Sequence, residues 1–198
     1  MILTGTDFLG KIFKNLQLEG AQLVSNEFHD CKFFHCTFVE TIFQGCRFVN
    51  CIFQHCDLSL VQVPDSLFTN THFEDSKVIG VNWAKAKWSA TNFSDSIGFS
   101  KCVLSHSTFI GLNLSRFLVL DCMALDVDFR ECDLSQADFS GTDLSESLFL
   151  GTNLTKADLS RARNYHIDPS QNILNQAKFS LPEAMSLLYS LDIDLSDE

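Results

Sequence analysis

The chain has 198 residues, 45% of them hydrophobic, with 19 Phe against 2 Tyr and 2 Trp. That composition excludes a disordered or linker-like chain, and the length suits one domain or one array. A formal charge of −11 disfavours direct binding to nucleic acid or to an anionic membrane, since both require a basic surface.

From the N-terminus, every fifth residue is large and apolar. The series runs Phe8, Phe13, Leu18, Leu23, Phe28, Phe33, and so on to Trp83, Trp88 and Phe93 without exception. Neither a strand's period of two nor a helix's 3.6 produces it. A fixed repeat marks an array in which each unit buries its apolar face on its neighbours. Two residues before each centre lies a mostly small residue, from Thr6 to Thr91. Residues two apart in an extended chain point the same way, so each unit turns one small and one large side chain inward. The other three positions face water and turn the chain. Pro64, just after a centre, fits such a turn.

At residues 94–99 the register slips. Position 98 is Gly98, and the series resumes at Phe99, continuing through Leu104 and Phe109 to Leu159. The expectation is a single inserted residue that bulges outward, with glycine supplying unusual dihedrals. The pattern divides the chain into a two-array β-helix over 1–163 and a C-terminal segment over 164–198. In that segment Ser180-Leu181-Pro182-Glu183 reads as a helix start with a capping box. Leu181, Ala184, Met185, Leu188 and Leu191 make one apolar stripe. Such a helix either caps the open last coil or pairs with a copy of itself, and both roles are expected. The dimerisation candidates are Phe179, Leu181, Met185, Leu187, Leu188, Leu191 and Ile193.

Eight cysteines all occupy the small inward slot: Cys31, Cys36, Cys46, Cys51, Cys56, Cys102, Cys122 and Cys132. That placement favours packing over a metal site or disulfides. The histidines read as solvated surface residues, although His35 and His55 are 20 residues apart, four repeats on. No phosphate loop or nucleophile elbow occurs, so no enzyme, cofactor or metal is expected. A filled rod is also expected to have no pocket. Asp128, Asp133, Asp138, Asp143 and Asp158 each precede a centre, with Glu131 and Glu146 nearby. One reading is a carboxylate bonded to nearby backbone. The other is a negative strip that imitates nucleic acid.

The late repeats, such as Ala137-Asp138-Phe139-Ser140-Gly141 and Ala157-Asp158-Leu159-Ser160-Arg161, match the pentapeptide-repeat consensus Ala-(Asp/Asn)-Leu-X-X. The resemblance covers about residues 6–163. It implies an all-β, right-handed quadrilateral β-helix of nearly eight coils, followed by a short C-terminal α-helix. Motifs outside the repeats narrow the resemblance: Asn164-Tyr165-His166-Ile167-Asp168, Phe179-Ser180-Leu181-Pro182-Glu183-Ala184, and Trp83 with Trp88 after Gly80-Val81-Asn82. They are similar to the branch of albicidin-immunity, microcin B17-immunity and quinolone-resistance proteins, and most similar to its albicidin-immunity members. The chain lacks the two projecting loops of the Gram-negative quinolone-resistance members.

The resemblance implies a homodimer joined through its C-termini. It also implies a DNA mimic that binds DNA gyrase, a type II topoisomerase, and protects it from an albicidin-type or quinolone-type poison. On that reading Asp128, Glu131, Asp133, Asp138, Asp143 and Glu146 face the gyrase. Ser94, Asp95, Ser96, Ile97, Gly98 and Phe99 add an irregular contact. The alternative is an interaction scaffold with an unrelated partner. With no signal peptide and no run of about 18 apolar residues, a cytoplasmic location without a membrane span is expected.

Overall fold

Each large side chain of the rhythm sits mid-way along a short straight segment, paired in parallel with the segment 20 residues on. In the computed structural model, which describes residues 6–88 and 97–191, Phe13 lies opposite Phe33, Phe33 opposite Phe53, and Phe53 opposite Phe73. Twenty residues per coil and five per segment give four faces. The first face is built on strands Asp7–Leu9, Glu27–His29, Arg47–Val49 and Leu67–Thr69. The second holds Ile12–Lys14, Lys32–Phe34, Ile52–Gln54, Thr71–Glu74, Ile97–Ser100 and Leu118–Leu120. The third and fourth faces pair mostly through single bridges such as Gln17 with Thr37 and Thr108 with Asp128. The result is an all-β parallel solenoid of about eight coils, closed by one short helix.

The core is a set of ring stacks. Phe33, Phe53 and Phe73 lie nearly parallel, with centroids 4.4 and 4.9 Å apart. Neighbouring faces meet edge-on, as Phe33 meets Phe38 at 5.7 Å. The strand spacing thus sets the stacking distance, and the corner sets the T-shaped one.

The small slot does more than save space. Cys51 Sγ donates to Phe28 O at 3.3 Å, Ser66 Oγ to Phe43 O at 2.7 Å, and Thr152 Oγ1 to Phe129 O at 2.9 Å. Several of these groups also accept a backbone N–H from the preceding coil, as Ser66 does from Cys46. A slot residue therefore satisfies corner backbone that strand pairing leaves over. Cys, Ser and Thr fit the slot because each is small and can donate. All eight cysteines are free and buried, and burial pushes the Cys51 thiol up to about 12.

Among the described residues, corners fall two residues after each centre in the left-handed region, except at Lys85, which ends a 3₁₀ turn over Trp83–Lys85. Asn15, His35, His55, Asp75 and Asp121 share one corner row with positive φ. Asn, Asp and His tolerate that region better than other non-glycine residues, which accounts for where His35, His55 and His106 occur.

The register slip is six residues, not one. Thr71 pairs with Ile97, Lys77 bridges Val103, and Asn82 bridges Thr108, each 26 apart. That coil therefore carries six residues beyond the standard 20, a correction to the expected single insertion. Phe93, Ser94, Asp95 and Ser96 lie outside the described residues. Ile97, Gly98 and Phe99 belong to the ladder and are buried, so they form no projecting contact. Gly98 is needed for space, not dihedrals: a Cβ there would lie 2.7 Å from His72 Nδ1. Gly98→Ala is expected to cost about 1–3 kcal/mol by overpacking. In a His72→Ala background the same change is expected to cost far less. A denaturant double-mutant cycle reads the difference.

The ladder also runs past Arg163. Asn153 bridges Ile173, and Asp158-Leu159 pairs with Lys178-Phe179. Tyr165 and Ile167 fill the interior of that last coil.

Candidate functional site

On a filled rod the functional groups are those on its outer skin. The aspartates before each centre share one local geometry. Ser135 N donates to Asp133 Oδ1 at 3.0 Å, Ser140 N to Asp138 Oδ1 at 2.9 Å, and Ser145 N to Asp143 Oδ1 at 3.2 Å. Asn153 makes the same turn with Thr155 at 3.1 Å. A side chain that accepts from the backbone two residues on holds the segment's exit. The position thus selects a short acceptor, whatever its charge.

Several of these carboxylates are also paired. Asp128 meets Arg130 at 2.7 Å, Asp143 meets Arg163 at 3.1 Å, and Asp158 meets Lys178 at 3.1 Å. The bond from Arg130 draws the Asp128 carboxyl below its ordinary range. Partial burial pushes Asp143 up, but bonds from Asn164, Ser145 and Arg163 outweigh it and hold it down at about 2. A depressed folded-state value stabilises the fold above the unfolded carboxylate range, near pH 4. That contribution is lost as pH falls towards 2. Asp143 is 16% exposed, so the contribution is of order 2 kcal/mol. Asp143→Ala is therefore expected to flatten the stability loss between about pH 4 and 2. Acid titration followed by circular dichroism checks it.

The six candidate acids do not form one strip. Asp128, Asp133, Asp138 and Asp143 follow at five-residue steps, so they lie on four successive faces and belt the rod. Glu131 and Glu146 occupy corners on two different edges, both with positive φ. A lengthwise acidic edge does exist elsewhere. The corner row Glu40, Leu60, Gly80, His106, Asp126 and Glu146 carries three acids and no lysine or arginine, with His106 Nδ1 3.0 Å from Asp126. Sequence reasoning weighed the centres and passed over the corners, although a 20-residue count from Glu146 would have found Asp126.

The C-terminal end differs from the expected helix. Glu183–Met185 is a 3₁₀ turn and Ser186–Tyr189 a single α-helical turn. No capping box forms at its start. Instead Ser180 Oγ accepts from Arg161 N at 3.1 Å, and Glu183 Oε1 accepts from Asn164 N. The two residues that resemble a helix cap therefore close the open edge of the last coil. Phe179 packs into that coil, its ring tilted against Tyr165 with centroids 5.6 Å apart. Leu181 is 78% exposed, and Leu191 is exposed as well. Met185, Leu187 and Leu188 are half-buried. Ile193 lies outside the described residues.

Among the described residues no group of three or more His, Cys, Asp or Glu side chains could hold a metal. His35 and His55 do stack, 5.0 Å apart. No helix among the described residues is long and apolar enough to cross a membrane. The expected lack of pockets fails among the described residues. A cleft of about 630 Å³ opens where the first face is interrupted, beside Leu67 and Trp88.

Residues 26–97 match the family model described as pentapeptide repeat region, and residues 126–163 match the one described as pentapeptide repeats. None of the curated proteins matches. Among solved structures, a trypsin-treated form of QnrB1, a plasmid-mediated fluoroquinolone resistance protein, aligns with a TM-score of 0.73 at 18% identity. That alignment covers 96% of this chain and 97% of that one. A second trypsin-treated form aligns with a TM-score of 0.69 at 20% identity, over 96% of this chain and 92% of that one. The full-length form gives 0.52 at 22% identity, over 92% of this chain and 100% of that one. At such identities the likeness establishes a shared fold.

Proposed function

This chain belongs to the pentapeptide-repeat family, and from that premise we propose that it binds DNA gyrase and shields it from a topoisomerase poison. The poison is of the albicidin or quinolone type, and the outcome is antibiotic resistance or self-immunity. One observation carries the reading: a sealed, acidic rod matches most of a fluoroquinolone resistance protein end to end. The role is non-catalytic. The protein acts by occupying the positive surface that normally holds duplex DNA.

Charge alone supports the mimicry weakly. Residues 6–163 carry 19 acidic and 13 basic side chains, or −6, while residues 164–198 carry six and one, or −5. Six charges over roughly 37 Å of coil is about one per 6 Å, against one per 1.7 Å in DNA. The rod therefore carries under a third of the charge density of the duplex. It competes through shape and stiffness, with the acidic edge Glu40, Asp126 and Glu146 as the contact that charge favours. The Leu181 to Leu191 surface beyond the last coil joins two copies, which doubles the length of rod.

A gyrase supercoiling assay with albicidin or a quinolone, titrating this protein, tests the reading. Rescue at intermediate concentration is expected, followed by direct inhibition at higher concentration. Neither effect at any concentration removes the hypothesis. The alternative, an interaction scaffold, draws support from one observation: the belt aspartates serve the turns first. A lysate pulldown that recovers one non-topoisomerase partner would favour it.

A further inference from the structure

The rod is filled along its axis, yet the first face opens into the cleft of about 630 Å³, a volume suited to a small organic ligand. Its floor is a register row: Glu27 pairs with Arg47, and Arg47 with Leu67. Lys87 continues the row, its N–H donating to Ser66 O at 2.8 Å. Arg47 and Lys87 thus stand two coils apart, roughly 10 Å at strand spacing, with Leu67 between them. Trp88 forms the wall. Its Nε1 donates to Trp83 O at 2.8 Å, which fixes the indole, and it is half-buried against the core.

Some acids and bases 20 residues apart pair up along this rod, as Asp57 does with Lys77 at 3.6 Å and Asp143 with Arg163 at 3.1 Å. Glu27 and Arg47 have the same spacing but do not pair; Glu27 turns to His29 at 3.2 Å. Asp65 accepts from Gln44 at 3.4 Å. Among the described residues, neither Arg47 nor Lys87 has an ion-pair partner. Two unneutralised cations therefore flank an apolar floor and an aromatic wall, on a chain that is acidic overall.

We propose that this cleft binds an aromatic monocarboxylate. The ring lies over Leu67 against the Trp88 indole, where flat apolar surface is buried on both sides. The carboxylate takes the Arg47 guanidinium through paired N–H bonds, with Lys87 adding a second charge. Glu27 and Asp65 also line the cleft and repel multiply charged anions, so a monoanion is selected over a polyphosphate. Nothing in this assignment depends on gyrase binding.

The probe is 2-naphthoate, titrated into the full chain and followed by tryptophan fluorescence and by calorimetry. One saturable site per chain is expected. The neutral alcohol of the same ring should bind at least tenfold more weakly, as should naphthoate to Arg47→Ala. Lys87→Ala should show a smaller loss, and Arg163→Ala, remote from the cleft, none. Thermal melts of each variant confirm an intact fold. A response that stays linear with concentration overturns the assignment. So does equal affinity for the alcohol, or an unchanged constant in both Arg47→Ala and Lys87→Ala.

Discussion

Replacing Phe53 with alanine is expected to lower stability by about 3–5 kcal/mol, the largest loss for any single substitution considered. Phe53 is fully buried and stacked between Phe33 and Phe73, with Phe38 and Phe48 meeting it edge-on at 5.9 and 5.5 Å. Truncation removes four ring contacts together and leaves a void that two flanking coils cannot close. Stability in an array is close to a sum of neighbour terms. A hole in mid-rod therefore weakens the coupling of the parts on either side. At this chain length the loss corresponds to roughly 6–20 °C in Tm. It should also broaden the transition or split it. Phe34→Ala is the control, because Phe34 sits one residue past a centre and is only half-buried. Equal shifts for the two would mean that the inward stack does not hold the rod.

That contrast rests on the part of the fold most legible in the sequence. A side chain that recurs every five residues fixes which positions face inward, and Phe33, Phe53 and Phe73 are where the count puts them. The same count could not size the interruption. Insertions of one and six residues leave the same phase modulo five, and an apolar residue at Phe93 made the shorter insertion look continuous. Pairing between coils, as of Thr71 with Ile97 and Lys77 with Val103, separates them.

The tail misled for a related reason. Ser180 and Glu183 have the spacing of a capping box, and nothing local shows that their acceptors serve Arg161 and Asn164. The acidic belt was legible as residues but not as a shape. Five-residue steps around a four-sided coil send consecutive aspartates to different faces, whereas a lengthwise feature needs steps of 20.

The belt yields the second large prediction. Changing Asp128, Asp133, Asp138 and Asp143 together to alanine is expected to cost about 4 kcal/mol, at about 1 kcal/mol for each lost turn bond. Further loss follows from stranding Arg163. Changing the same four to asparagine keeps an Oδ1 acceptor at each turn, as Asn153 does naturally, and should cost much less. The asparagine set still removes four negative charges from a rod whose net is −6. It therefore separates a structural role from an electrostatic one, and gyrase protection can be measured on a folded protein.

The comparison that decides between charge and shape is Glu40→Gln, Asp126→Asn and Glu146→Gln in one chain. These corners hold no segment exit, so the melting temperature should be nearly unchanged. If gyrase reads the exposed edge, this triple should raise the protective concentration at least tenfold, more than the asparagine belt does, although it removes one charge fewer. The difference should shrink as salt screens surface charge. Equal effects from the two sets would point to net field alone. Protection indifferent to both would leave stiffness and width as what the enzyme recognises, because those are the properties neither set alters.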